Sequence, residues 1–212
     1  MKVGKVLLGC LGLLAARPVV AQVASETFAN TVYGFGQASV LAVTGKTYQL
    51  YVPLNRYGFS RELPVFPKEA DMRQFNAQPQ LMAIDKVQSV QTSQAYLEHI
   101  VLNGKRLHVL ALRTVTGPVE LFSYIETKRI HMAAHGAGAE SSVGYIPNPE
   151  KQHWYLRRQG VLTEVQPANF AQQLATYFQD DAATVASLTS GATTYRLLEP
   201  LVEAYNQRHP AP

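Results

Sequence analysis

Cysteine is almost missing: the 212 residues contain one, Cys10. If the export leader described below is removed, the remaining chain has none. That excludes disulfides, thiolate zinc sites and cysteine nucleophiles together, so stability must come from a packed core. Excess charge is scarce too. The formal net charge is +4, but Lys2, Lys5 and Arg17 all lie in the first 21 residues. Without them the basic count falls from 19 to 16, against 15 acids. No basic run is interleaved with aromatics, which argues against a nucleic-acid partner. The nucleophile settings G-x-S-x-G and S-x-x-K are absent, and no Gly-rich phosphate loop follows a strand. The sequence therefore implies no cofactor.

Long apolar runs are missing as well, with one exception that is itself short. "MKVGK" is a basic start, "VLLGCLGLLAA" (residues 6–16) an apolar stretch, and "RPVVA" ends with small residues at Val19 and Ala21. This is the pattern of a secretory leader. Eleven residues fall short of the roughly 20 needed to cross a bilayer. Residues 1–21 are expected to be a signal peptide cleaved after Ala21, with no membrane span in the product. The protein is expected in the periplasm, or outer-membrane-associated or extracellular. Cys10 follows "LLG", a trace of a lipoprotein signal, but the apolar run continues past it.

What is present is a folded composition, 47% hydrophobic and 16% charged. "SVLAVTGKTYQLYVPL" reads as two strands joined at Thr44-Gly45-Lys46. In its second arm Tyr48, Leu50, Val52 and Leu54 alternate with Gln49 and Tyr51. Asn103-Gly104 is a type I′ hairpin pair, Gly117-Pro118 marks the next turn, and Gln159-Gly160 another. Leu107, Val109 and Ala111 alternate with Leu110 and Leu112, so this strand is expected to be central and covered on both faces. Phe170, Leu174, Tyr177 and Phe178 form a helical stripe. Val185 and Leu188 predict a second helix ending near Gly191, and Leu197, Leu198, Leu201, Val202 and Tyr205 a third, with Pro200 in its first turn. The fold class is α+β: a mostly antiparallel sheet or partly open barrel over residues 22–166, then two or three helices over 167–212. Loops are expected at 55–80 and 127–152.

Candidate sites are few. The 55–80 segment carries Tyr57, Phe59 and Phe66, which either pin a surface loop or line a groove for a glycan or peptide. His131 and His135 stand four apart, the helical spacing of a zinc pair. The residues between them are Met132, Ala133 and Ala134, with no catalytic base, and Gly/Ala residues follow. His153 and Glu140 are the nearby candidates for further ligands. A linker is the favoured reading. His99 and His108 sit in the two arms of the Asn103-Gly104 hairpin and are read as strand positions with backbone partners.

Gly117, Pro118, Leu121 and Phe122, then Tyr155, Leu156, Arg157, Gly160 and Leu162, then Phe170, Tyr205 and Asn206 make a recurring pattern. In these residues the chain resembles a group of exported proteins of uncharacterised function common in Bacteroidota. The resemblance covers about half the chain, mainly 105–126 and 153–206, with 127–152 as an insertion. It implies an envelope location and a β-plus-helix build, and brings no catalytic residue with it. The leading expectation is a non-catalytic envelope protein that binds another protein or a surface glycan. The alternative is an envelope hydrolase with its site at the 55–80 loop.

Overall fold

The turn at Gly45 closes the first hairpin. Its φ of +81° suits glycine, and the N–H of Ala42 donates to the Lys46 carbonyl at 2.8 Å. The structure, a computed structural model, describes residues 34–54, 57–129 and 147–210. The hairpin arms are β1 (Phe35–Ala42) and β2 (Thr47–Pro53). Beyond them runs an antiparallel meander: β6 (Val87–Thr92), β7 (Tyr96–Leu102), β8 (Lys105–Val115), β9 (Val119–Arg129), β10 (Pro147–Arg158) and β11 (Val161–Val165). The sheet order is β11-β10-β9-β8-β7-β6-β1-β2. Both two-residue turns have the positive φ pairs of type I′: 51° and 76° at Asn103-Gly104, 51° and 80° at Gln159-Gly160.

The segment 55–80 is not the plain loop its prolines predict. It contains β3 (Phe59–Ser60), β4 (Glu62–Val65) and the single helical turn α1 (Glu69–Met72), and ends at β5 (Gln80–Ala83). β3 pairs with β8, while β4 and β5 form a separate two-stranded sheet. In the expected loop at 127–152, β9 extends to Arg129 and β10 begins at Pro147.

Three helices end the chain: α2 (Phe170–Tyr177), α3 (Ala182–Thr189) and α4 (Leu198–Arg208). Leu174, Phe178, Leu188, Leu198, Val202 and Tyr205 are buried against Leu121, Trp154 and Leu156 of the sheet. Leu197 is largely exposed because it belongs to the 3-10 turn before α4, out of phase with the helix. Pro200 stands in the first turn of α4, where its missing N–H breaks no helical bond. Asp181 caps α3, accepting from the N–H of Ala183 at 3.0 Å.

The sheet curls. Alternate residues of β9 and β10 point away from the helices, and β11 comes back within reach of β7. On this concave side lies a second core of Ile100, Ala111, Phe122, Tyr124 and Tyr155. A third core gathers Val40, Leu63, Ile84, Val90, Leu97 and Leu110 between the first hairpin, the β4–β5 pair and the sheet. Strand β8 serves two faces, as expected: Ala111 lies in one core and Leu110 in the other.

Two polar locks hold the helices on. The side chain of Asn206 pairs with the main chain of Val119 in both directions: the Val119 N–H donates to Oδ1 at 3.0 Å, and Nδ2 donates to the Val119 carbonyl at 2.7 Å. Gly117 makes room for it, since a Cβ there would lie 2.4 Å from Asn206 Nδ2. In the second lock Arg158 donates to both Asp180 oxygens, at 3.2 and 2.5 Å, and the Tyr205 hydroxyl donates to Oδ2 at 2.8 Å. The Arg158 bonds, helped by Tyr205 and opposed by partial burial, hold the Asp180 carboxyl down at about 2.

Asn206→Ala should cost about 2–3 kcal/mol, because it leaves two main-chain groups unpaired. Gly117→Ala should cost at least as much, and the double variant clearly less than the sum, since both changes break one contact. Urea unfolding of the four proteins measures the coupling; strict additivity would show that the two residues act separately. Asp180 has a depressed folded value, so its contribution is complete above the ordinary carboxylate range near pH 4 and disappears as pH falls toward about 2. Asp180→Asn should therefore destabilise at pH 6 and match the parent chain near pH 2, read by unfolding midpoints across that range.

Candidate functional site

Residues 57–60 enter the fork where β8 and β9 separate. The N–H of Ile125 donates to the Tyr57 carbonyl at 2.8 Å, and Phe59 and Ser60 pair with Leu110 and Val109. Gly58 is required here: φ is +80°, and a Cβ would fall 2.4 Å from the Leu110 carbonyl oxygen. Phe59 is 8% exposed and packs in the core with Leu63 and Leu110. Phe66 is 6% exposed, meets the Phe35 ring edge-on at 5.0 Å, and bonds to Tyr51 through both main-chain groups at 2.9 Å. Tyr57 is half-buried. These placements are those of pinning residues, and neither Phe ring is displayed to a ligand. The aromatic the segment does display is Phe75, 85% exposed beside the left-handed Asn76, together with Leu81 of β5, 56% exposed. Neither has a periodic signature that would mark it as outward-facing.

His131, His135 and Glu140 lie outside the described residues. His153 does not gather ligands: its Nε2 faces Glu126 Oε1 at 3.0 Å and its Nδ1 faces Glu164 Oε1 at 3.2 Å. The two carboxylates occupy opposite ring nitrogens and cannot converge on one ion. Among the described residues no group of three or more His, Cys, Asp or Glu side chains is arranged to hold a metal.

His99 and His108 do come together with a carboxylate. His108 Nδ1 lies 2.8 Å from Asp85 Oδ1, and His99 Nε2 lies 4.0 Å from the same atom. Both His99 nitrogens face main-chain carbonyls, of Val87 at 3.0 Å and Leu107 at 2.5 Å, so this buried ring ties β7 to its two neighbours. The His108 side chain is 66% exposed. Such an open ion pair is worth at most about 1 kcal/mol.

The concave side holds an ionic lattice. Arg157 of β10 donates to Glu120 on β9 and reaches across two strands to Glu98 on β7, while Arg113 of β8 also donates to Glu120. The guanidinium of Arg113 lies over the Tyr96 ring, and that of Arg157 over Phe122. Burial pushes the Glu120 carboxyl up, but the bonds from Arg157 and Arg113 outweigh it and hold the group below its ordinary range. A small hollow of about 160 Å³ lies on this side between Glu98, Val101, Arg157 and Leu162.

A larger cleft, about 380 Å³, opens on the other face. Pro53, Leu54, Leu97 and Leu112 supply apolar walls, and Thr92, Gln94 and Thr114 are polar neighbours; Arg113 borders the cleft with its guanidinium turned to Glu120 and Tyr96, and Glu199 adds a negative charge. Its size falls within the range of small-molecule sites. Glu199 lies in the first turn of α4, so the cleft borders both the sheet and the helices. No local pattern of residues marks it, because its walls come from five separate elements.

The two roles of the 55–80 aromatics can be separated by mutation. Phe59→Ala should cost about 3–5 kcal/mol of unfolding free energy, the usual loss for a buried ring, and Phe75→Ala less than about 0.5. Denaturant titration of both variants checks this; similar costs would contradict the placement. Comparison with protein families, curated proteins and solved structures yields no match for this chain.

Proposed function

We propose that the chain is an exported, non-catalytic envelope protein, of the kind it resembles in Bacteroidota, that binds another protein or a surface glycan in the periplasm or at the outer surface. The observation that carries the reading is the cleft. It has the volume and mixed lining of a binding site, and its lining contains no imidazole or thiol to transfer a proton or attack a substrate.

The electrostatics support the same reading. A general acid or base works best with a pKa near the working pH. Here each displaced group moves away from neutrality. Burial raises the hydroxyls of Tyr96, Tyr155, Tyr177, Tyr195 and Tyr205. Glu120, Asp180 and Asp181 are held low by arginines, and Arg157 and Arg158 are held high by their carboxylate partners. These are the shifts of buried hydroxyls and structural ion pairs. Phe75 and Leu81 add exposed apolar area of the kind that partners cover.

One observation favours the hydrolase alternative. Asp85 and His108 form an Asp–His pair close to the strand that carries Ser60. The openness of His108 to solvent weighs against it, because a base that must activate a hydroxyl is better shielded.

Capture of the tagged protein from its native envelope, beside a Phe75→Ser/Leu81→Ser variant, tests the binding reading. The expected result is a stoichiometric protein or glycan retained by the parent chain and lost from the variant. Equal retention by both would remove this surface from the reading. Nothing above a mock control, with ester or peptide hydrolysis that His108→Ala abolishes, would replace it with the hydrolase.

A further inference from the structure

The charges around the cleft do not cancel. Arg113 is committed to Glu120 at 2.9 Å, and Glu120 is shared with Arg157, which also holds Glu98. Two arginines and two glutamates make this lattice neutral. Glu199 is left over. It is half-buried, lines the cleft, and among the described residues makes no hydrogen bond or ion pair. A carboxylate at a helix N-terminus is favoured by the helix dipole. That accounts for its presence on α4, but the charge still faces a cleft walled by Leu54, Leu97 and Leu112.

An apolar floor beside one uncompensated negative charge is complementary to one chemistry: a cation carried on an apolar stem. We infer that the cleft binds an alkyl cation, an ammonium or guanidinium on a hydrocarbon chain, with the stem on the leucines and the charge on Glu199. Thr92, Gln94 and Thr114 border the same space. Among the described residues that line the cleft, an anionic ligand would meet Glu199 with no free cation to offset it, since Arg113 already has a partner. A neutral hydrocarbon would leave the partly desolvated carboxylate without one. Such a cation reaches the cleft either as a free amine or as a Lys or Arg side chain of a polypeptide. This inference rests on the binding reading above and narrows it to one ligand chemistry.

The test is a titration of the ¹⁵N-labelled full chain with n-hexylammonium chloride, 1-hexanol and sodium hexanoate, which share a six-carbon stem and differ in charge. A fourth arm uses the blocked peptide acetyl-Leu-Lys-Leu-amide. Hexylammonium should shift the amides of Ala95, Leu97, Thr114 and Glu199 saturably and bind at least about tenfold more tightly than hexanol, the ratio expected for a charge-assisted contact. Hexanoate should be the weakest of the three. Glu199→Gln should erase the preference for the cation while hexanol binding stays unchanged, which shows that the variant is folded. Tighter binding of the peptide than of hexylammonium would assign the site to a polypeptide side chain, and the reverse to a free amine. Equal affinity for hexylammonium and hexanol, or a cation preference that survives Glu199→Gln, overturns the inference. So does the absence of shifts at these amides in all arms. The binding reading is judged separately, by whether envelope capture with the parent chain retains anything above the mock control.

Discussion

The carboxamide of Asn206 stands in for a β-strand. Its oxygen and nitrogen take the N–H and C=O of Val119 in the way a neighbouring strand would, just beyond the last β8–β9 pair, Val115 with Leu121. One end of a helix is thereby fastened to the edge of a hairpin by groups that cannot be swapped for a hydrophobe without leaving the main chain unpaired. The buried face of the last helix is set around that position. Tyr205, one residue earlier, reaches Asp180 and packs on Phe178; Val202 and Leu201, a turn back, close over the sheet. Asp180 binds Arg158 of β10 and its neighbour Asp181 binds Arg208 of α4, so the α2–α3 corner is tied to sheet and last helix at once. Gly117, Tyr205 and Asn206 are thus parts of one joint.

The ionic lattice on the concave side has a different logic. A curled sheet of this width cannot fill its hollow with aliphatic side chains alone, and its mouth stays partly wet. Arg157 spans the hollow to Glu98 and lays its plane on Phe122, closing the mouth with a charged group whose stem is apolar. Partly exposed ion pairs contribute little stability singly. Their geometric effect is larger, because β10 and β7 are held at a fixed separation although no ladder joins them. This fixes the curl, and with it the angle at which the outer faces of β9 and β10 meet the helices.

Much of this frame was legible in the residues. Asn103-Gly104 and Gln159-Gly160 announce their turns because type I′ geometry needs residues that tolerate positive φ. The two-sided apolar pattern of β8 and the helical stripes around Leu174 and Val202 are local periodicities that survive folding. Other parts were hidden because they depend on pairs far apart in sequence. Gly58 looks like any loop glycine until Leu110 is placed against it. Phe59 and Phe75 have similar local composition, yet one is buried by β3–β8 pairing and the other stands on a turn. Asn206 resembles any polar helix residue, and only the position of Val119, 87 residues earlier, makes it a lock. The cleft was invisible for the same reason.

The position of the cleft follows from the topology. The convex face of the sheet carries two cores with different covers: the β4–β5 excursion over one, the C-terminal helices over the other. β8 passes beneath both, with Leu112 packed against the first and Val115 in the second. Thr114 and the neighbouring edge lie between the covers. Each cover is fixed by its own locks, Gly58 and Phe66 on one side, Asn206 and Asp180 on the other, so neither can slide to close the gap. The fold therefore produces an apolar-walled opening at this seam whatever residues line its rim. Thr114 and Glu199 belong to neither core, so they can change without unseating a buried side chain. If the cleft binds a ligand as proposed, preference is thereby separated from stability: the cores fix where the opening lies, and a few rim residues, Glu199 foremost, would set what it holds.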